Sequence, residues 1–137
     1  MKTFSILLFI ILSTFCFGQK PLIDKIETGD TLTIYVSRIG DRYGPYDQDS
    51  LTIVKTIEFM KLYSQKRNTW FKLDKKTIKD LKTLENKGIR KTDHGLTYDI
   101  YTLRLKKKTT TFDLNAWRFD TFMTELKPFD GPTFQYK

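Results

Sequence analysis

Thr31-Leu32-Thr33-Ile34-Tyr35-Val36-Ser37-Arg38 alternates apolar and polar residues with a period of two. Successive side chains of a strand point to opposite faces, so Leu32, Ile34 and Val36 share one face and a half-buried β-strand is expected. Downstream, Gly40 to Asp49 is punctuated by Gly44-Pro45 and by acids, which reads as a loop. From Ser50 the chain is again rich in β-branched and aromatic residues, with Leu51, Ile53, Ile57 and Phe59 on one parity and Met60 and Leu62 on the other. One strand with a bulge, or with both faces partly covered, accounts for that slip. A helix over 50–63 is the competing reading, but its apolar positions form no clean stripe.

Gln65-Lys66-Arg67-Asn68 reads as a turn into a short strand, Thr69-Trp70-Phe71-Lys72-Leu73. The next element is a helix. Asp74 suits its N-cap, Leu73 and Ile78 occupy the positions of a hydrophobic staple, and Ile78, Leu81 and Leu84 share a face. Gly88, just after Lys87, is expected to end it. Asp93-His94-Gly95 forms a turn, and a strand then runs from about Leu96 to Lys106 with Tyr101, Leu103 and Leu105 on one side. Lys106-Lys107-Lys108 turns the chain into a strand over 109–114. A last helix from near Asn115 places Phe119, Phe122, Met123 and Leu126 on one stripe, and Pro128 stops it. The expected order is β-β-β-α-β-β-α. Short connections favour antiparallel pairing, so the fold class is α+β, an antiparallel sheet of about five strands with two helices on one face.

Upstream of the first strand, Lys2 precedes an uncharged apolar run from Phe4 to Phe17 that ends in Cys16-Phe17-Gly18. That is the pattern of a secretory signal, with cleavage after Gly18 expected to leave Gln19 first. The run falls short of the roughly 20 residues a bilayer-spanning helix needs. Lipidation of Cys16 fits poorly because Phe15 and Ser13 stand where a small and an aliphatic residue belong. The division is therefore a signal peptide over 1–18 and a small α+β domain over 19–137. Export to the periplasm or the medium is expected, with no transmembrane segment in the mature form.

Losing residues 1–18 removes Lys2 from 24 basic side chains against 16 acids, a net charge of +7, and removes Cys16, the only cysteine. Disulfides and thiolate chemistry are thus excluded from the mature chain. Packing must come from the 11 Phe, 7 Tyr and 2 Trp and the aliphatic residues.

Motifs for chemistry are sparse. There is no G-x-S-x-G, the sole imidazole is His94 in a turn, and Asp47-Gln48-Asp49 lacks the Gly and distal Glu of a calcium loop. No metal, no cofactor and no catalytic residue are assigned. Two surface candidates remain. The first is the Tyr/Arg loop with Arg42, Tyr43, Tyr46 and Asp47, residue types that make rigid contacts at binding surfaces; the bland alternative folds the tyrosines back as caps on the core. The second is the basic patch Arg104, Lys106, Lys107 and Lys108, extended by Lys66 and Arg67 at another turn. It suits an anionic polymer, lipid or acidic protein, or else guards a sheet edge against unwanted pairing. No nucleic-acid motif occurs, and nucleic acid is not an expected partner. The reading is a non-catalytic interaction protein of the bacterial envelope, of inhibitor, immunity or accessory type. Attachment to an anionic envelope polymer or lipid through the basic patch is the alternative, and a carboxylate-dependent hydrolase the third.

Overall fold

The computed structural model describes residues 20–40, 44–90 and 97–129, with side chains described outside 44–46 and 89–90. The signal-peptide reading, the His94 turn, Arg42 and Tyr43 lie outside the described residues. A single 3-10 turn at Leu22–Lys25 precedes strands β1 (Thr31–Gly40), β2 (Gly44–Lys55), β3 (Met60–Ser64) and β4 (Thr69–Leu73). Helix α1 (Lys75–Arg90) follows, then β5 (Thr97–Leu105), β6 (Lys108–Asn115), helix α2 (Ala116–Glu125) and a two-residue strand β7 (Lys127–Pro128). The fold is α+β. Every strand pairing is antiparallel, in the order β6-β5-β1-β2-β3-β4-β7.

The sheet has seven strands rather than about five, because one expected strand is two and the chain end adds another, and β2 is also longer than expected. The segment Gly44–Asp49, expected as a loop, is the first half of β2 and pairs with the end of β1. The parity slip near residue 60 is a hairpin turn, not a bulge within one strand. Thr56 N–H donates to the Phe59 carbonyl at 2.8 Å, and the Thr56 hydroxyl accepts from Phe59 N–H at 3.1 Å. The bulge lies elsewhere: the register shifts between Arg38, opposite Asp47, and Ile39, opposite Pro45, leaving Tyr46 as the extra residue of β2. Finally, Lys127 and Pro128 pair with Lys72 and Phe71, so the chain after α2 adds an edge strand.

Pairing registers place Leu32, Ile34 and Val36 in rows with Ile53, Leu51 and Asp49 on one side and Leu105, Leu103 and Tyr101 on the other. These rows form the face that the helices cover, together with Leu62, Phe71 and Leu73 of β3 and β4. Leu81 of α1 and Phe122 and Met123 of α2 close over it. Leu32, Ile53 and Leu62 retain no exposed surface, and burying each such side chain stabilises by about 1.5–3 kcal/mol.

Helix α1 starts as expected. Asp74 Oδ1 accepts from Thr77 N–H and from the Thr77 hydroxyl, both at 2.7 Å. It does not stop at Gly88, which lies against the Phe112 ring: a Cβ there would sit 1.9 Å from Phe112 Cδ2. Glycine at 88 is required by close packing, not by a helix end. The buried Glu85 accepts from Leu22 N–H at 2.7 Å and ties the 3-10 turn to α1. Burial pushes its carboxyl above the ordinary value, against the lowering effect of that hydrogen bond.

Candidate functional site

At one end of the covered face the rows change character. Arg38, on the same parity as Leu32, Ile34 and Val36, stands between Asp47 of β2 and Asp99 of β5. A cation in an inward position must be paired, because a lone desolvated charge is very costly. Arg38 is paired twice. Its Nε and Nη2 donate to Asp99 Oδ1 and Oδ2 at 2.8 and 2.9 Å, while Nη2 and Nη1 donate to Asp120 Oδ1 and Oδ2 at 2.7 and 3.2 Å. Nη2 also reaches the Ala116 carbonyl at 3.2 Å, in the first turn of α2. Asp99 is fully buried. Its hydrogen bonds, followed by those of Asp120, hold the guanidinium pKa well above the ordinary range. The planar guanidinium forks onto two carboxylates, a geometry that a lysine ammonium could not reproduce.

A second set of contacts is built on the β3–β4 turn. Asp49 Oδ2 accepts from the Ser64 hydroxyl at 2.8 Å, and its Oδ1 accepts from Lys66 N–H at 3.1 Å. Ser64 Oγ in turn accepts from Arg67 N–H at 3.2 Å. The turn is thereby ordered from beneath by a buried carboxylate. Lys66 Nζ contacts both oxygens of Asp47, at 2.6 and 2.5 Å, and this bond holds the Asp47 carboxyl below its ordinary value. Arg67 Nη1 donates to the Met123 carbonyl at 3.0 Å and ties the turn to α2.

Between these sets lies a cleft of about 150 Å³. Val36, Phe119 and Met123 supply its apolar wall, and Arg38, Asp47 and Asp120 stand on its charged side. Behind it Tyr101 stacks on Phe112 with ring centroids 5.1 Å apart. Its buried hydroxyl has no hydrogen-bond partner among the described residues, and burial pushes its pKa up.

Of the residues expected to bind, the structure places Asp47 in this cleft and Tyr46 at the bulge beside it. The residues of the basic patch lie on and beside the β5–β6 hairpin. Lys106 Nζ is 3.0 Å from Glu27 and 3.1 Å from Asp30, so its charge is matched locally. Arg104 lies opposite Thr33, on the other sheet face from Leu103 and Leu105, whereas Lys108 lies opposite Leu105. Lys66 and Arg67 sit at the opposite end of the sheet from the Lys106–Lys107 turn and do not extend it. Sequence reading missed Arg38, Asp99 and Asp120. A signal was present for two of them: a charge at the inward parity of an otherwise apolar strand.

Comparison with protein-family models, curated proteins and solved structures gives no match. Among the described residues no helix is long and apolar enough to cross a membrane, and no group of three or more His, Cys, Asp or Glu is placed to hold a metal ion.

Proposed function

We propose that the chain is an exported, non-catalytic binding domain of the bacterial envelope, and that it grips a protein partner at the Arg38 cleft. One observation carries the reading: each charged side chain lining the cleft is already engaged within the protein. Arg38 holds Asp99 and Asp120, Lys66 holds Asp47, Asp49 holds Ser64 and the Lys66 amide, and Arg67 holds the Met123 carbonyl. Such a network fixes the shape and polarity of a surface before the partner arrives, which lowers the entropic cost of binding. It is poorly suited to acid–base work. A carboxylate pair for hydrolysis needs one acid kept protonated near neutral pH, whereas Lys66 pushes Asp47 the other way. The concave apolar wall beside a charged rim is the arrangement into which a partner's anchoring side chain fits.

The rim acids Asp47 and Asp120 are partly exposed, so Asp47→Ala/Asp120→Ala removes recognition groups without opening the buried Arg38–Asp99 pair. Quantitative recovery of envelope proteins on immobilised wild type and double variant tests the reading. A partner whose recovery corresponds to a loss of about 2 kcal/mol, roughly thirtyfold in affinity, is expected. Equal recovery by both forms overturns it.

A further inference from the structure

The outer surface of helix α1 carries more positive charge than its acids match. Thr77, Leu81 and Glu85 recur every four residues and are buried against the core. At about 100° per residue, Lys75, Lys79, Thr83 and Lys87 fall on the solvent side, and all four are exposed. Lys76 lies on that side too, but it pairs with Glu125 and stands 3.5 Å from Asp80, and Lys82 pairs with Asp24. Of the two acids in α1, Asp80 serves Lys76 and Glu85 is turned into the core. Lys75, Lys79 and Lys87 are left with no paired acid among the described residues.

Beside this stripe stands a half-exposed tryptophan. Trp117 lies in the first turn of α2, where the Asn115 side chain accepts from its backbone N–H. It is 52 % exposed, and the Arg118 guanidinium lies 4.5 Å from the centre of its ring. Trp117 borders a groove of about 200 Å³ between the helices, whose lining it shares with Lys87 and with the apolar side chains of Leu84 and Phe122. An indole is apolar over its rings and polar at its N–H, which suits the boundary between acyl chains and headgroups.

We infer that the outer face of α1 and α2 docks on an anionic lipid bilayer, with Trp117 seated among the headgroups and Lys75, Lys79 and Lys87 over their phosphates. Helices that lie on a membrane bind through apolar burial together with attraction to anionic lipid, and this one face presents both. Lysine stems lie along apolar surface while their ammonium groups stay in the polar layer. A single-stranded nucleic acid would call for a series of stacking platforms, where this face offers one indole among its described residues. Neither Trp117 nor these lysines line the Arg38 cleft, so either assignment can fail without the other.

The test is titration of the protein, followed by tryptophan emission, with phosphatidylglycerol/phosphatidylcholine vesicles, pure phosphatidylcholine vesicles and oligodeoxythymidylate. Emission reports on this face rather than on the apolar run at residues 4–17, because the tryptophans are Trp70 and Trp117. The anionic vesicles shift the emission to the blue, and added salt weakens the binding because exposed charges are screened. Pure phosphatidylcholine and the oligonucleotide produce no shift. Trp117→Phe abolishes the shift and Trp70→Phe keeps it. Lys79→Gln/Lys87→Gln weakens binding about thirtyfold, each basic residue near an anionic surface contributing about a factor of five, and keeps the wild-type melting temperature. Arg104→Gln/Lys108→Gln on the β5–β6 hairpin leaves binding unchanged. No shift with anionic vesicles, a shift that survives Trp117→Phe, undiminished binding by the Lys79/Lys87 variant, an equal loss in the hairpin variant, or tighter binding to the oligonucleotide overturns the assignment.

Discussion

Gly88 shows how one residue can be read correctly as special and for the wrong reason. Glycine late in a helix suggests a C-terminal cap, yet α1 continues to Arg90 and the hydrogen at 88 makes room for Phe112. The ring cannot move aside easily, since it is stacked on Tyr101 and the contacts include Cγ, close to its own backbone. Gly88→Ala therefore sets an overpacking cost of about 1–3 kcal/mol against a helix-propensity gain of at most about 1 kcal/mol. A lower denaturation midpoint is expected, and a stabilised variant would show that the helix tolerates a methyl there. Arg38 and Asp99 teach the complementary lesson. Both lie on apolar parities, so pattern alone marks them as inward-facing, but only their meeting across β1 and β5 shows how the charges are met.

At the scale of elements, local chemistry chose the start of α1 and tertiary pairing chose the strand boundaries. Asp74 is well placed by sequence, and the Thr77 amide followed by the Thr77 hydroxyl pulls its carboxyl below the ordinary value of 3.8. An acid with a depressed folded-state pKa stabilises above its unfolded value and loses that contribution as pH falls through the folded one. Asp74→Ala should therefore melt below wild type at neutral pH, and the gap should close as the pH is taken below 3.8. A gap that persists unchanged in acid would mean that the carboxylate does not act as the cap. The β2–β3 hairpin behaves differently. Its turn, Thr56 to Phe59, has no Gly or Pro, so nothing in composition announces it. The parity change at residue 60 was the visible trace of a chain reversal.

For the molecule as a whole, the decisive pairing is β1 with β5. Strands β1 to β4 follow one another through short connections, and β5 to β6 is a tight hairpin. Joining the two blocks brings Leu32 opposite Leu105 across α1 and most of the chain between them. Closing a long loop must precede the contacts that reward it, so non-local ladders form late. Pulse-labelled hydrogen exchange during refolding should protect the amides of the β2–β3–β4 meander before those shared by β1 and β5. Protection of the β1–β5 ladder first would place the nucleus at the sheet centre instead.

Sequence by itself determined the α+β class, the antiparallel pairing, both helices and their inward faces, because periodicity and capping act within a few residues and are written locally. It also supplied the alternation that makes Leu32, Ile34, Val36, Tyr101, Leu103 and Leu105 the core of the central strands. Only the tertiary structure decided that Gly44–Asp49 is a strand, that residues 127 and 128 return to the sheet, and that Arg38 meets Asp99 and Asp120. Strand registers juxtapose residues far apart along the chain, and electrostatic neighbours depend on distance in space rather than on separation in sequence.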